Sequence, residues 1–299
     1  MDEIVKIRPA ERRDLPTIEH LAQKEDFHIG LQNWSLYFHT SKDCWQVAEN
    51  GHREVVGYKV DNALADNVKF AFQLVLREDY RGRGLTRSFD TMHYSRVPTI
   101  CNATAYSLSR YKFDHFSFGM VGFCGYLRNV EALKPQLSNN GLYFEEITES
   151  NIKDAYDYDF SVYGGCRSKF VKEWCLPELY PCEVISLLAK KDQKVCGYGV
   201  VREYEGYWTI APLYADDDLV AQWLLYKLLS NFSDNENRQL YILTDVKNRV
   251  IRKFAQLLEN MICCDSETRA VLNGDKVSEA LIKRMATSKV YGFHDFWPV

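Results

Sequence analysis

The sequence predicts an α/β protein with mixed sheets, built from two copies of one fold, and three observations predict it. An offset of 140 residues brings Trp34 onto Trp174 and Gly57-Tyr58 onto Gly197-Tyr198, with Ile7 and Asp14 recurring as Ile147 and Asp154. Both stretches read in the order β-α-α-β-β-β-α-β-α. The length of 299 residues matches two ordinary domains of about 150.

The first copy opens with a strand at 4–8. A helix follows, opened by Asp14, with Leu15, Ile18, Leu21 and Ala22 at helical spacing. After a helical stretch around Trp34, strands at 45–49 and 55–60 join through Asn50-Gly51, a hairpin signal. Next, Phe70, Phe72, Leu74 and Leu76 alternate with Ala71, Gln73 and Val75, as in a strand half-buried against a core. A helix over 85–96 completes this part. The second copy repeats the order: a strand at 143–147, a helix, the Trp174 stretch, and strands at 183–190 and 194–201 joined through Asp192-Gln193. A strand at 207–213 precedes a helix at 219–230 that is apolar on nearly every side, with Asp216, Asp217 and Asp218 as capping candidates. A strand at 240–244 leads to a helix whose stripe is Val246, Val250, Phe254, Leu257, Leu258 and Met261. Lys134-Pro135 and Ser138-Asn139-Asn140-Gly141 mark a linker within 128–142, giving domains 1–133 and 142–299.

Composition narrows the function classes. With 37 Lys plus Arg against 41 Asp plus Glu, the net charge is −4, so nothing draws the whole chain to nucleic acid or to an anionic membrane. The longest apolar run, 116–127, is broken by Gly119, Gly122 and Gly125 and falls short of a membrane span. The acidic start Met1-Asp2-Glu3 lacks a signal peptide's basic opening. Nine cysteines without a Cys-x-x-Cys pair, and Cys166, Cys175 and Cys182 too far apart for a zinc site, predict no metal and reduced, mostly buried thiols. A cytosolic or nuclear location follows.

One loop carries chemistry. Tyr80-Arg81-Gly82-Arg83-Gly84-Leu85-Thr86 stands between an alternating strand and a helix. Two glycines there let a ligand approach the backbone, and the helix start presents free N–H groups to an anion. Arg77, Arg81, Arg83 and Arg87 add positive charge that Glu78 and Asp79 offset in part. A P-loop needs a Gly-Lys-Ser/Thr ending and a dinucleotide fingerprint needs three glycines, and neither is present. A phosphate or pyrophosphate site is the reading that remains. The corresponding turn of the second copy reads Ala215-Asp216-Asp217-Asp218, whose carboxylates repel such a group.

These residues resemble the GCN5-related N-acetyltransferases (GNAT), whose Arg/Gln-x-x-Gly-x-Gly/Ala signature falls on Arg81 to Thr86, with Thr86 in place of Gly or Ala. Ile7-Arg8-Pro9, Arg13-Asp14-Leu15, Asn102 and Tyr111-Lys112-Phe113-Asp114-His115-Phe116 extend the likeness. Gly197-Tyr198-Gly199 and Ile210-Ala211-Pro212-Leu213-Tyr214-Ala215-Asp216 are similar to the second domain of the YitH/HolE4-like tandem type, a set expanded in nematodes. The resemblance implies a tandem GNAT-like acyl-CoA N-acyltransferase fold of two pseudo-repeated domains. It further implies one acetyl-CoA, or another acyl-CoA, per chain, bound by the first copy. Leu74 and Leu76 would lie along the pantetheine, and Arg81, Gly82, Arg83, Gly84, Leu85 and Thr86 at the pyrophosphate. Tyr111 would be the general acid that protonates the leaving thiolate. Glu25, Asp26 and His28 fall in the inter-helix loop that borders the acceptor, a small-molecule amine or amino acid. A CoA-binding sensor or interaction module without turnover is the alternative, and a protein-lysine acetyltransferase a third class for which no peptide-groove signal is present.

Overall fold

The computed structural model describes residues 4–25, 31–65, 68–90, 99–103, 115–163, 166–178, 182–204, 207–231, 239–263, 267–272 and 289–293. The first copy supplies β1 (Lys6–Pro9), α1 (Leu15–Gln23), α2 (Leu31–Ser41), β2 (Trp45–Glu49), β3 (Val55–Ala65), β4 (Val68–Leu76), α3 (Leu85–Asp90), β5 (Thr99–Ala103) and β6 (His115–Leu127). The second supplies β7 (Tyr143–Glu146), α4 (Ile152–Tyr163), α5 (Ser168–Cys175), β8 (Val184–Lys191), β9 (Lys194–Tyr204), β10 (Tyr207–Ala215) and α6 (Asp218–Ser230). It continues with β11 (Gln239–Asp245), α7 (Arg249–Ala255), β12 (Leu258–Cys263), β13 (Glu267–Leu272) and β14 (Val290–Gly292).

Each copy pairs its strands in the same way. In the first, β1 to β4 are antiparallel neighbours and β4 then pairs in parallel with β5. In the second, β7 to β10 repeat the antiparallel run and β10 pairs in parallel with β11. Gly57 stands opposite Leu76, and Gly197 opposite Ala215. The hairpin at Asp192-Gln193 turns with both residues at positive φ, 49° and 64°, the conformation of a tight two-residue connection. The first strand departs from the constant offset. Ile7 pairs with Ala48 and Phe144 with Ala189, so Phe144 rather than Ile147 is the partner of Ile7 in the repeat.

An ion cluster is kept with its charges rearranged. Arg8 on β1 binds Asp14 at 2.7 Å and Glu49 at 2.7 Å. In the second copy the cation sits on the neighbouring strand: Lys190 binds Glu145 at 2.7 Å and Asp154 at 2.9 Å. Burial pushes the Asp14 carboxyl up, but the Arg8 hydrogen bonds and the Glu11 amide more than reverse this and leave it below its ordinary value. The Lys190 ammonium is pushed up to about 12 by its hydrogen bonds to Glu145 and Asp154.

The two halves do not close on themselves. Among the described residues one fourteen-stranded sheet runs β1-β2-β3-β4-β5-β13-β6-β11-β10-β9-β8-β7, with β12 on β6 and β14 on β10 branching from that path. β6, which belongs to the first half in sequence, pairs with β11 and β12 of the second. In return β13 inserts between β5 and β6. Aromatic packing also crosses: Tyr37 on α2 stacks on Phe170 at 6.2 Å and on Trp174 at 6.4 Å. Trp34 and Trp174 are both buried core anchors, Trp34 lying edge-on to Trp45 at 5.6 Å and to Tyr58 at 5.8 Å. Among the described residues no helix is long and apolar enough to cross a membrane, and no group of metal-ligand type forms.

Three expectations need correction. Leu257, Leu258 and Met261 do not continue a helix: α7 ends at Ala255, and 258–263 pair with β6 as a strand that bends where Asn260 takes φ 52°. In β4 the exposed position is Leu74, at 40%, while Gln73 and Val75 are buried and Leu76 lies under Phe89. Gln73 and Val75 on one face and Leu76 on the other are all buried, so alternation does not sort this end of the strand. Seven described cysteines are free, but only Cys175 and Cys196 are buried, and Cys166 and Cys263 are exposed. The helix predicted to reach 96 is described to Asp90.

The repeated glycine has a packing cause. A Cβ on Gly197 would lie 2.7 Å from the Tyr214 carbonyl oxygen and 2.9 Å from Leu224 Cδ1, so α6 reaches the sheet only because that atom is absent. Gly197→Ala is therefore expected to lower unfolding free energy by about 2 kcal/mol in a denaturant titration. Gly51→Ala, whose Cβ would meet nothing within 4 Å, is the near-neutral control.

Candidate functional site

The glycine turn follows directly from β4. After Leu76 the chain makes a 3-10 turn over Glu78–Tyr80, then passes Gly82 at φ 75° and Gly84 at φ 78° into α3. Both glycines hold the left-handed conformation that other residues disfavour, and a Cβ on either would meet none of the described residues beyond its chain neighbours within 4 Å. The turn is anchored from below. Tyr80 is buried against Ala48, Val56, Leu76 and Phe89, and its hydroxyl accepts from Asn50 Nδ2 at 3.1 Å.

The arginines divide by what holds them. Arg77 and Arg83 lie over the Tyr80 ring at 4.7 Å and 4.6 Å. Arg77 also binds Asp79 at 2.7 Å, which raises the arginine and lowers the carboxyl. Arg81 Nε donates to the Leu76 carbonyl at 2.9 Å, and its Nη2 pairs with Glu25. Arg81 thus straps the turn both to the end of β4 and to the end of the first helix region. Arg83 is exposed and among the described residues makes no ion pair, although its charge helps to lower the Asp79 carboxyl.

Beside the turn, β4 and β5 form a V. They pair at Lys69↔Thr99, Phe70↔Ile100 and Ala71↔Cys101, after which residues 72–76 of β4 have no described strand on that edge. On the helix α1/α2 side of the V, Tyr58 donates its hydroxyl hydrogen to Gln73 Oε1 at 2.6 Å. Burial drives the Tyr58 phenol well above its ordinary value, and the Glu25 charge adds to this, keeping it protonated.

The second copy builds the same V and fills it. β10 and β11 pair at Tyr207↔Gln239, Trp208↔Leu240 and Thr209↔Tyr241, then part. β14 enters the gap antiparallel to β10, at Leu213↔Gly292 and Tyr214↔Val290. It is tied to β11 by Phe293 N donating to the Leu243 carbonyl at 2.7 Å and by Thr244 Oγ1 donating to the Tyr291 carbonyl at 2.6 Å. The adjoining turn has only Asp216 and Asp217 before α6. Asp217 caps the helix, accepting from Val220 N at 2.9 Å. Lys289 binds Asp216 at 2.6 Å, and the Tyr291 hydroxyl donates to Asp218 at 2.6 Å. A turn of the same topology that is cationic in the first copy is anionic in the second, and the chain's own lysine and tyrosine satisfy it.

Comparison with known proteins meets this architecture from two sides. Residues 155–282, within the second copy, match the family described as acetyltransferase (GNAT) domain. The fold is similar to a Pyrococcus horikoshii protein inferred to be an acetyltransferase, with TM-score 0.70, 16% identity, and 99% of this chain and 96% of that chain covered. It is also similar to the tandem GNAT protein of the clavulanic acid biosynthesis pathway, solved without AcCoA: TM-score 0.63, 12% identity, and 90% of this chain and 98% of that one. The chain has the tandem GNAT fold. A GCN5-related N-acetyltransferase from Anabaena variabilis shares it at TM-score 0.56 and 10% identity, over 90% of this chain and 72% of that one. No curated protein matches the sequence.

Within this GNAT fold the predicted site residues are placed unevenly. Arg81 and Glu25, expected at the cofactor and acceptor sides respectively, meet in an ion pair. Leu74 is exposed on the open edge of β4, Leu76 is buried beneath the turn, and Leu85 and Thr86 are half-buried at the start of α3. Tyr111, Asp26 and His28 lie outside the described residues. The sequence reading missed Tyr58 and Gln73, and it missed β14. A glutamine among six apolar neighbours on β4 was the available signal for the first pair. Nothing local marks 290–292 as a strand that closes a distant V.

Proposed function

We propose that this GNAT-fold chain is an acyl-CoA-dependent N-acyltransferase that moves acetyl from acetyl-CoA to a primary amine of a small molecule or amino acid. We place the cofactor in the first copy and assign the chain to the YitH/HolE4-like tandem type, working in the cytosol. The contrast between the two V-shaped gaps supports the reading: among the described residues no strand lines one of them, which stands beside a glycine turn with arginine charge, and the other is filled by β14 beside an acidic turn.

The residues fit the group. The space over Gly82 and Gly84 is one that a Cβ would fill, and the backbone of 82–86 would hold the pyrophosphate, with Arg83 supplying charge. The free edge of β4 at Leu74 and Leu76 offers backbone groups to the pantetheine amides. Acetyl-CoA supplies an activated thioester, whose C–S bond breaks as the C–N bond to the amine forms. The departing thiolate takes a proton, for which Tyr111 is the candidate donor. Glu25, with Asp26 and His28, borders the acceptor and would take, through water, the proton that the ammonium must lose before its nitrogen can attack.

A second reading has one observation behind it. Glu25 is paired with Arg81, which restricts it as a proton acceptor and suits a CoA-binding sensor without turnover. Calorimetric titration is expected to show one acetyl-CoA bound per chain, with an affinity in the micromolar to sub-millimolar range usual for such substrates. Two equivalents, or none, would overturn the placement in one copy. Thiol release across a panel of primary amines separates transferase from sensor: release dependent on an amine supports the first, and binding without release supports the second.

A further inference from the structure

We propose that Gln73 recognises the acyl carbonyl of the thioester, donating a hydrogen bond from Nε2; this rests on the acyl-CoA reading above. Four observations converge on that atom. β3 and β4 pair at Val60↔Gln73 and next at Asp61↔Ala71, leaving Phe72 as the extra residue of a bulge immediately before Gln73. The pairing of β4 with β5 ends at Ala71↔Cys101, so Gln73 lies where the V opens. Its Oε1 is taken by the Tyr58 hydroxyl at 2.6 Å, which fixes the carboxamide plane and turns the NH2 away from Tyr58. The residue is 7% exposed, and among the described residues its buried Nε2 has no hydrogen-bond partner.

A buried amide donor left unmet is destabilising, and native proteins keep few of them without a use. The ligand that satisfies it must bring an acceptor. An ammonium group brings only donors, whereas a thioester carbonyl at the inner end of the V is an acceptor whose negative charge grows during attack. The second copy supplies an internal comparison. Tyr58↔Val75 and Tyr198↔Tyr214 set the equivalence, so two residues upstream Gln73 corresponds to Pro212. The copy whose V is filled by β14 has a residue with no side-chain donor at this position.

The test measures acetyl-CoA and CoA binding separately, because only the former has the carbonyl. Wild type is expected to bind acetyl-CoA about fivefold more tightly than CoA, the size of one neutral hydrogen bond. In Gln73→Met that preference disappears while the CoA affinity stays as in wild type. Tyr58→Phe keeps Nε2 but frees the amide to rotate, and should lose about half of the preference; it also serves if the Met variant fails to fold. Equal weakening of both ligands in Gln73→Met marks a structural role and refutes the proposal. Equal affinities in wild type refute it too, leaving the acyl-CoA reading intact, whereas no binding of either ligand by wild type removes both.

Discussion

Gly84→Glu will abolish acetyl-CoA binding, with a loss of affinity of at least about a hundredfold, and will leave a folded protein. The two halves of that expectation have separate causes. At φ 78° any side chain costs roughly 1–2 kcal/mol of backbone strain, which a domain of ordinary stability survives. Among the described residues, no atom beyond the chain neighbours lies within 4 Å of the new Cβ, so the packing of these residues does not change. The affinity falls because the Cβ and a carboxylate enter the space assigned to a pyrophosphate, where like charges repel. Gly84→Ala should show the strain with a much smaller affinity loss. If Gly84→Glu binds acetyl-CoA as wild type does, the cofactor lies elsewhere. Replacing Asp216 with lysine will not create a second site, since β14 still fills the gap beside it.

The second large effect concerns separation of the halves. Chains comprising 1–133 and 142–299, expressed apart, are expected to lack cooperative unfolding, and expressed together to recover it as one complex. β6 finds its neighbours β11, β12 and β13 in the other half, and β5 finds β13 there. A separated first half would expose unpaired strand edges and uncover Tyr37 from Phe170 and Trp174. The missing pairings and packing are comparable to the whole stability of a domain, about 5–15 kcal/mol. Circular dichroism melts would decide it: a sigmoidal transition for 1–133 alone would show that the strand exchange is dispensable.

How much of this was legible depends on the range of the interactions. The repeat, the hairpin at Asp192-Gln193 and the cap at Asp217 are local, and their residues announce them. The glycine turn was legible for the same reason: two glycines at positive φ between a strand and a helix are a short-range signal. Residues 257–261 misled because a strand edged by β6 can present Leu258 inward and Met261 outward at a spacing that also fits a helix face. Gln73 was read as one polar step in an alternating strand, since nothing in the sequence reveals a bulge at Phe72 or a covered second face. The strand exchange and the filled V arise between segments more than 70 residues apart, with no local imprint.

The exchange of strands also imposes an order of assembly on the ribosome. The first copy holds the open V, yet its β5 waits for residues 267–272, and the second copy is completed only by 290–292. A nascent chain stalled before residues 267–272 therefore lacks the strand that pairs with β5, even though every residue of the glycine turn has long been translated. Closure of the sheet arrives late, so translation that stops early yields fragments for degradation rather than a folded half.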